Sequence, residues 1–120
     1  MAKEKKSSWG KSLHIDLFGC EQKTFRKNSL KKFCRLLCDE IGMKPHGVAR
    51  VKRFGQGKLR GNSALQFIKT SSIAIHTDDF QKRAFIDIFS CKDFNELSAK
   101  AFSKKYFLAK KSKASILMRG

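Results

Sequence analysis

The segment HIDLFGC at residues 14–20 recurs in the second half of the chain as FIDIFSC at residues 85–91. Each copy is typical of a strand, and an amphipathic helical pattern follows each of them. We interpret the recurrence as an internal duplication, although a short I-D-[LI]-F match also arises by chance between strands. The duplication predicts an α+β two-layer sandwich, in which helices cover one face of a mainly antiparallel sheet.

Periodicity and turn residues predict the remaining elements. Asn28-Ser29 is expected to cap a first helix that carries Leu30 to Ile41 and ends at Gly42. A second helix is expected to begin near Asp93, with Phe94, Leu97, Ala101 and Leu108 on its buried face. The predicted strands cover residues 13–19, 48–54, 64–68, 73–77, 84–89 and 115–118. The loop GQGKLRGN is expected to join the second and third strands.

The chain has 120 residues, which predicts a single domain over residues 1–120. We assign residues 1–10 to a basic N-terminal extension. The formal net charge is +17, which brings nucleic acid, an acidic partner or an anionic membrane surface into consideration. Because the basic residues are spread along the chain and no binding motif accompanies them, we predict neither a nucleic-acid partner nor a membrane partner.

The sequence contains no apolar run long enough to cross a membrane and no hydrophobic signal segment, so we expect a cytoplasmic protein. Its four cysteines are therefore expected to be thiols rather than disulfides. Cys34 and Cys38 are four residues apart on a helical pattern and lack the spacing of a zinc site. We interpret this pair as core residues and predict no metal site.

Two serines and a histidine flank the apolar centre of TSSIAIHT at residues 70–77. Ser63 precedes Ser71 by eight residues, and His76 and Cys91 follow it by five and twenty. With these spacings the chain, from about Lys11 to Gly120, resembles the bacterial S-adenosylmethionine decarboxylases. These are small pyruvoyl enzymes of polyamine synthesis, which carry a reactive serine within E-S-H-[hydrophobic]-x-I-H-T and a second serine in a G-x-S motif.

The resemblance implies that Ser71 attacks the carbonyl of Thr70 and that the chain then splits into a β chain, 1–70, and an α chain, 71–120, headed by a covalent pyruvoyl group. It implies Ser63 as a donor to the oxyanion and His76 as the base that removes the α-proton. The pyruvoyl carbonyl would capture the substrate amine as a Schiff base, and Cys91 would return a proton after carbon dioxide leaves. We expect Ser63, Ser71 and His76 to retain the geometry that cleavage needs, in a site that the resemblance places at a dimer interface.

The chain departs from the family pattern at three places. Thr70 and Ser72 replace the family's Glu and His on either side of the reactive serine. Asp78 and Asp79 replace the segment that carries the family's ribose-binding Glu, so Asp79 is the nearest substitute. The two acidic residues could equally face a cationic side chain or form an ordinary turn. Phe54 is a candidate to stack on adenine.

Three functions follow from this pattern. The first is decarboxylation of S-adenosylmethionine for spermidine synthesis by a homodimer of cleaved protomers. The second is a pyruvoyl-dependent ornithine or arginine decarboxylase on the same fold. The third is an unprocessed, non-catalytic basic binding protein, in which Thr70 and Ser72 mark lost catalysis. The net charge of +17 has no role in either of the two decarboxylation reactions.

Overall fold

A computed structural model describes residues 8–120 and contains six strands and two helices in this region. In chain order they are β1 (Gly10–Phe18), α1 (Lys27–Glu40), β2 (Pro45–Phe54), β3 (Gly61–Ile68), β4 (Ser71–Asp78), β5 (Arg83–Ser90), α2 (Glu96–Tyr106) and β6 (Lys111–Arg119). Short 3-10 turns lie at Gln22–Phe25 and Gly57–Leu59.

The strands form one antiparallel sheet in the order β2-β3-β4-β5-β1-β6. The two copies of the repeated segment are the neighbouring strands β1 and β5, and Ile15 lies opposite Ile86, its counterpart in the repeat. A helix follows each copy, as the recurrence predicts. The expected α+β sandwich with a mainly antiparallel sheet is therefore confirmed.

The two faces of the sheet differ because successive side chains of a strand point to opposite sides. On one face, residues such as Leu13, Ile15, Ile73, Ile75 and Ile86 are at most 1% exposed and belong to the core that includes α1. The other face carries His14, Leu65, Phe67, His76 and Asp87, all of which are exposed. We call this second side the open face of the sheet.

The helices differ from expectation in two details. Asn28 and Ser29 lie inside α1 rather than capping it, and the Ser29 hydroxyl instead lies 3.1 Å from that of Tyr106. The predicted buried face of the second helix is wrong at Leu97 and Leu108, which are 77% and 50% exposed, whereas Phe94 is buried as expected. The helix begins at Glu96, after its cap Asn95, which turns Ala99, Ser103 and the following Phe107 toward the core.

The assignment of an N-terminal extension at residues 1–10 lies mostly outside the described residues. Within the described region, Gly10 already belongs to β1, and the amide of Trp9 donates to the carbonyl of Arg119. No helix between residues 8 and 120 is long and apolar enough to cross a membrane.

Candidate active site

The predicted cleavage position lies at the turn between β3 and β4. This turn holds Lys69 and Thr70, and Thr70 has a φ of 58°, in the left-handed region. A β-branched side chain is a true outlier there, and such a conformation costs roughly 1–3 kcal/mol. The peptide bond that the family pattern marks for cleavage therefore follows a strained residue.

The hydroxyl of Ser71 is held beside this bond by a residue that the sequence pattern did not single out. Ser71 Oγ donates to Ser90 Oγ at 2.8 Å, and the amide of Lys92 donates to the same Ser90 oxygen at 2.9 Å. Ser90 is only 1% exposed, so its side chain is fixed by packing. The one sequence feature that could have pointed to Ser90 is its position directly before Cys91 in FIDIFSC.

Cys91 lies just beyond the end of β5, where its Sγ is 2.8 Å from the hydroxyl of Thr70. It is the exposed cysteine of the chain, whereas Cys20, Cys34 and Cys38 are buried. Burial raises the pKa of Cys20 to about 11, that of Cys34 to about 12 and that of Cys38 to about 11. The prediction that Cys34 and Cys38 are core thiols is thus confirmed, and Cys91 is the thiol available for chemistry.

A buried lysine fastens the segment that follows Cys91. Lys11 on β1 is 5% exposed, and its Nζ donates to Asp93 at 2.8 Å, to Glu96 at 2.8 Å and to the carbonyl of Phe94 at 2.7 Å. Burial lowers the pKa of Lys11, but hydrogen bonds and charges from Asp93 and Glu96 outweigh it, so the pKa is raised overall. The ammonium therefore stays charged and ties the Cys91 segment to β1.

A cavity of about 360 Å³ lies between this lysine and Cys91. Its walls include Trp9, Lys11, Glu96 and Met118, so it combines apolar surface with charged groups. Its size is at the lower end of the range of small-molecule sites. The cavity thus provides space for a substrate next to the thiol.

Ser63 and His76 form a second group. They lie opposite each other on β3 and β4, and Ser63 Oγ is 2.8 Å from His76 Nδ1. His76 points to the open face, whereas Ser71, five residues earlier, points to the other face. At about 3.4 Å per residue, the two lie about 17 Å apart along the strand. Within one chain, therefore, Ser63 and His76 lie together and Ser71 lies apart from them.

The acidic pair follows His76 at the same end of the sheet. Asp78 accepts from Arg83 Nε at 2.8 Å and from Nη2 at 2.6 Å. Asp79 accepts from Arg53 at 2.6 Å. Each carboxylate is thus paired with an arginine of the chain itself, which does not favour a role in binding a cationic substrate side chain.

Phe54 is the last residue of β2. It lies opposite Gly61, and Gly61 is two residues before Ser63 on β3. Its side chain is exposed, at 59% of the residue's surface.

The site residues therefore form two separate sets. We call Thr70, Ser71, Ser90 and Cys91 the cleavage end, and Phe54, Ser63, His76, Asp78 and Asp79 the histidine end.

Comparison with known proteins identifies the family. Residues 11–120 match the S-adenosylmethionine decarboxylase family. The chain belongs to the S-adenosylmethionine decarboxylase family. The S-adenosylmethionine decarboxylase proenzymes of two Clostridium botulinum strains, Langeland and Okra, are each 34% identical to it over 117 residues, covering 92% of this chain and 94% of theirs. The resemblance inferred from the serine, histidine and cysteine spacings is confirmed.

The fold comparison agrees with membership in the S-adenosylmethionine decarboxylase family. The crystal structure of the adenosylmethionine decarboxylase from Aquifex aeolicus VF5 matches with a TM-score of 0.80 at 16% identity, covering 94% of this chain and 92% of that one. At this identity the match supports the fold alone. Decarboxylases of this family are carboxy-lyases, so the expected enzyme class is confirmed.

Proposed function

We propose that the chain is the proenzyme of a pyruvoyl-dependent S-adenosylmethionine decarboxylase that cleaves itself between Thr70 and Ser71. One observation carries the proposal: the left-handed residue Thr70 is followed by a serine whose hydroxyl is held by a buried acceptor, at the position that the family pattern marks. In a member of this family, that arrangement supports self-cleavage.

The chain's own residues supply the first step. Ser71 Oγ attacks the Thr70 carbonyl carbon, the peptide C–N bond breaks, and an ester forms with a free amine on Ser71. Opening the peptide bond relaxes the left-handed conformation of Thr70, so the strain of roughly 1–3 kcal/mol favours the ester. Ser90 keeps the attacking oxygen in place, since its hydroxyl is fixed in the core.

A pyruvoyl group at residue 71 supplies a carbonyl that accepts the electrons released when carbon dioxide leaves the substrate. The residues at the cleavage end fit this group, because Ser71 is its source and Cys91 lies next to the same turn. Cys91 lines the cavity of about 360 Å³, is exposed, and is the candidate to give a proton to the bound substrate. Lys11 holds the backbone that carries this thiol.

We further propose that the active enzyme is a homodimer in which each site combines two chains. A base must come within about 2.6–3.2 Å of the proton that it removes, and His76 is about 17 Å from Ser71 in its own chain. A twofold axis near Ala74, at the midpoint of β4 between the two residues, would place the partner's His76 near the cleavage end. Each site is incomplete without the second copy.

The open face is suited to such a partner. Leu65, Phe67 and Leu117 are 36%, 52% and 56% exposed there, so apolar surface remains to be covered. On the central strands of this face, His14 Nδ1 is 2.7 Å from Asp87 Oδ1 and Arg83 binds Asp78, whereas Arg50 and Lys52 lie exposed on the edge strand β2. Paired charges lower the cost of burying the face against a second sheet.

Complementation between two inactive variants tests this arrangement. We expect Ser71→Ala and His76→Ala chains to remain uncut when each is expressed alone. Co-expressed with different tags, they should form mixed dimers, in which one site joins Ser71 of the His76→Ala chain to His76 of the other chain. With random pairing into twofold dimers, about half of the His76→Ala chains should be cleaved, as measured by intact mass.

Cleavage of isolated His76→Ala at the wild-type rate would remove His76 from the reaction. Failure of the co-expressed pair to cleave, with mixed dimers present in a two-tag purification, would contradict the shared site. A Ser63→Ala chain offers a parallel test. Its cleavage should likewise be restored when it is co-expressed with the Ser71→Ala chain, which supplies the intact Ser63 and His76.

The substrate is tested by carbon dioxide release from carboxyl-labelled S-adenosylmethionine, ornithine and arginine. We expect release from S-adenosylmethionine alone, since Asp78 and Asp79 are paired with arginines and do not offer a cation site. Faster release from ornithine or arginine would establish the rival decarboxylase. An uncut chain without release from any substrate would establish the non-catalytic binding protein.

A further inference from the structure

A second cavity, of about 250 Å³, lies directly at the cleavage bond. Its walls include Thr70 and Ser71 together with Lys44, Lys69 and Lys92. None of the residues that line it is Asp or Glu. We call this cavity the lysine pocket. It concentrates positive charge, without a matching carboxylate, at the bond that self-cleavage would break.

Lys92 is held in this arrangement by its own contacts. Its Nζ donates to the carbonyl of Gly42 at 2.8 Å. Its backbone amide donates to Ser90 Oγ, the same oxygen that accepts from Ser71. Both the backbone and the ammonium group of Lys92 are therefore held by hydrogen bonds, on the segment that also holds the attacking hydroxyl.

We propose that the lysine pocket binds the carboxylate that self-cleavage creates at Thr70 and promotes its departure. This inference rests on the self-cleavage proposed above. In the ester, the base assigned to His76 takes the α-proton of Ser71, the bond between Cβ and Oγ breaks, and the electron pair leaves with the Thr70 carboxylate. The dehydroalanine that remains tautomerises to an imine, which water hydrolyses to the pyruvoyl group and ammonia.

The charge balance of this reaction explains why cations are needed. Ordinary peptide hydrolysis leaves a carboxylate beside a new ammonium group, and the two partly compensate each other. Here the pyruvoyl group is neutral, and the proton taken by the base leaves on the released nitrogen as ammonium, so no counter-charge from the reaction stays beside the new carboxylate. Lys44, Lys69 and Lys92 supply it, and fixed positive charge at a leaving group lowers the barrier to departure.

The identity of residue 70 is consistent with this role. The family's glutamate would bring a second carboxylate to the lysine pocket, whereas Thr70 brings a hydroxyl that contacts Cys91 instead. The lysine pocket therefore remains free of any other negative group when the main-chain carboxylate forms. Part of the net charge of +17 thus acquires a function at the cleavage end.

The test compares Lys44→Met/Lys92→Met with the charge-matched control Lys104→Met/Lys105→Met, whose lysines are exposed on α2. We expect the first pair to slow release of the 1–70 fragment by roughly tenfold, since exposed charges each contribute only modestly. Because elimination is the slowed step, uncut ester should accumulate. After an acid quench, hydroxylamine should split this ester and give an α chain that begins with serine rather than pyruvoyl, as measured by mass.

Salt provides a readout that a purely structural role would not change. Raising sodium chloride should slow cleavage of the wild type and of the control, because it screens exposed charges. The Lys44→Met/Lys92→Met protein should respond less to salt, because Lys69 is then the one lysine left in the lysine pocket. Equal rates, equal salt dependence and no trapped ester in the two double variants would overturn the role of the lysine pocket. Absence of cleavage in the wild type would instead overturn the proposed function, and the inference with it.

Discussion

Ser71→Ala is expected to remain a single chain of 120 residues after prolonged incubation, while the wild type splits into fragments 1–70 and 71–120. The methyl group of alanine cannot attack the Thr70 carbonyl, and no other hydroxyl is hydrogen-bonded to Ser90 at this turn. Denaturing electrophoresis with intact-mass measurement reports the result directly. The expected effect is complete, because the variant lacks both the nucleophile and the source of the pyruvoyl group.

Ser72→Ala is the matched control. Ser72 is the neighbouring hydroxyl, but its position on β4, one residue beyond Ser71, turns its side chain to the open face. The Ser72→Ala variant should cleave itself at the same bond as the wild type. Cleavage of Ser71→Ala one residue later in the chain would assign the reaction to Ser72, and an uncut wild type would contradict self-processing altogether.

Cys91→Ala should separate self-cleavage from turnover. The acyl shift and the elimination do not use a thiol in the mechanism above, so fragments 1–70 and 71–120 should still form. Carbon dioxide release from S-adenosylmethionine should fall by a factor of roughly 10² to 10⁴, the usual loss when a positioned proton donor is removed. The measurement pairs the mass of the fragments with the rate of release from the same preparation.

Cys20→Ala is the control for this variant, because Cys20 is the counterpart of Cys91 in the internal repeat. Cys20 is 1% exposed and its pKa is raised by burial to about 11, so it has no access to a substrate. It should retain wild-type turnover per folded molecule. Equal losses in both variants would indicate packing rather than proton donation, and full activity in Cys91→Ala would exclude the thiol from the reaction.

Most of the architecture could be predicted from local pattern. The alternation in β1 and β5 and the helical spacing of Leu30, Phe33 and Leu37 fix element type, because each periodicity suits only one backbone geometry. The buried face of α2 was predicted wrongly, since the pattern containing Leu97 and Leu108 is compatible with more than one helix start. The cap at Asn95 and the packing of Phe107 against Phe33, with ring centroids 4.8 Å apart, decide the rotation of the helix.

The sequence by itself determined which family the chain belongs to and which residues are candidates for its chemistry, because the spacings among Ser63, Ser71, His76 and Cys91 are properties of the chain alone. Only the tertiary structure decided how they are grouped. Strand pairing joins Ser71 to Ser90 and Thr70 to Cys91, residues about twenty positions apart. The rigid extension of β4 keeps His76 about 17 Å from Ser71 and on the opposite face, so nearness in sequence does not become nearness in space.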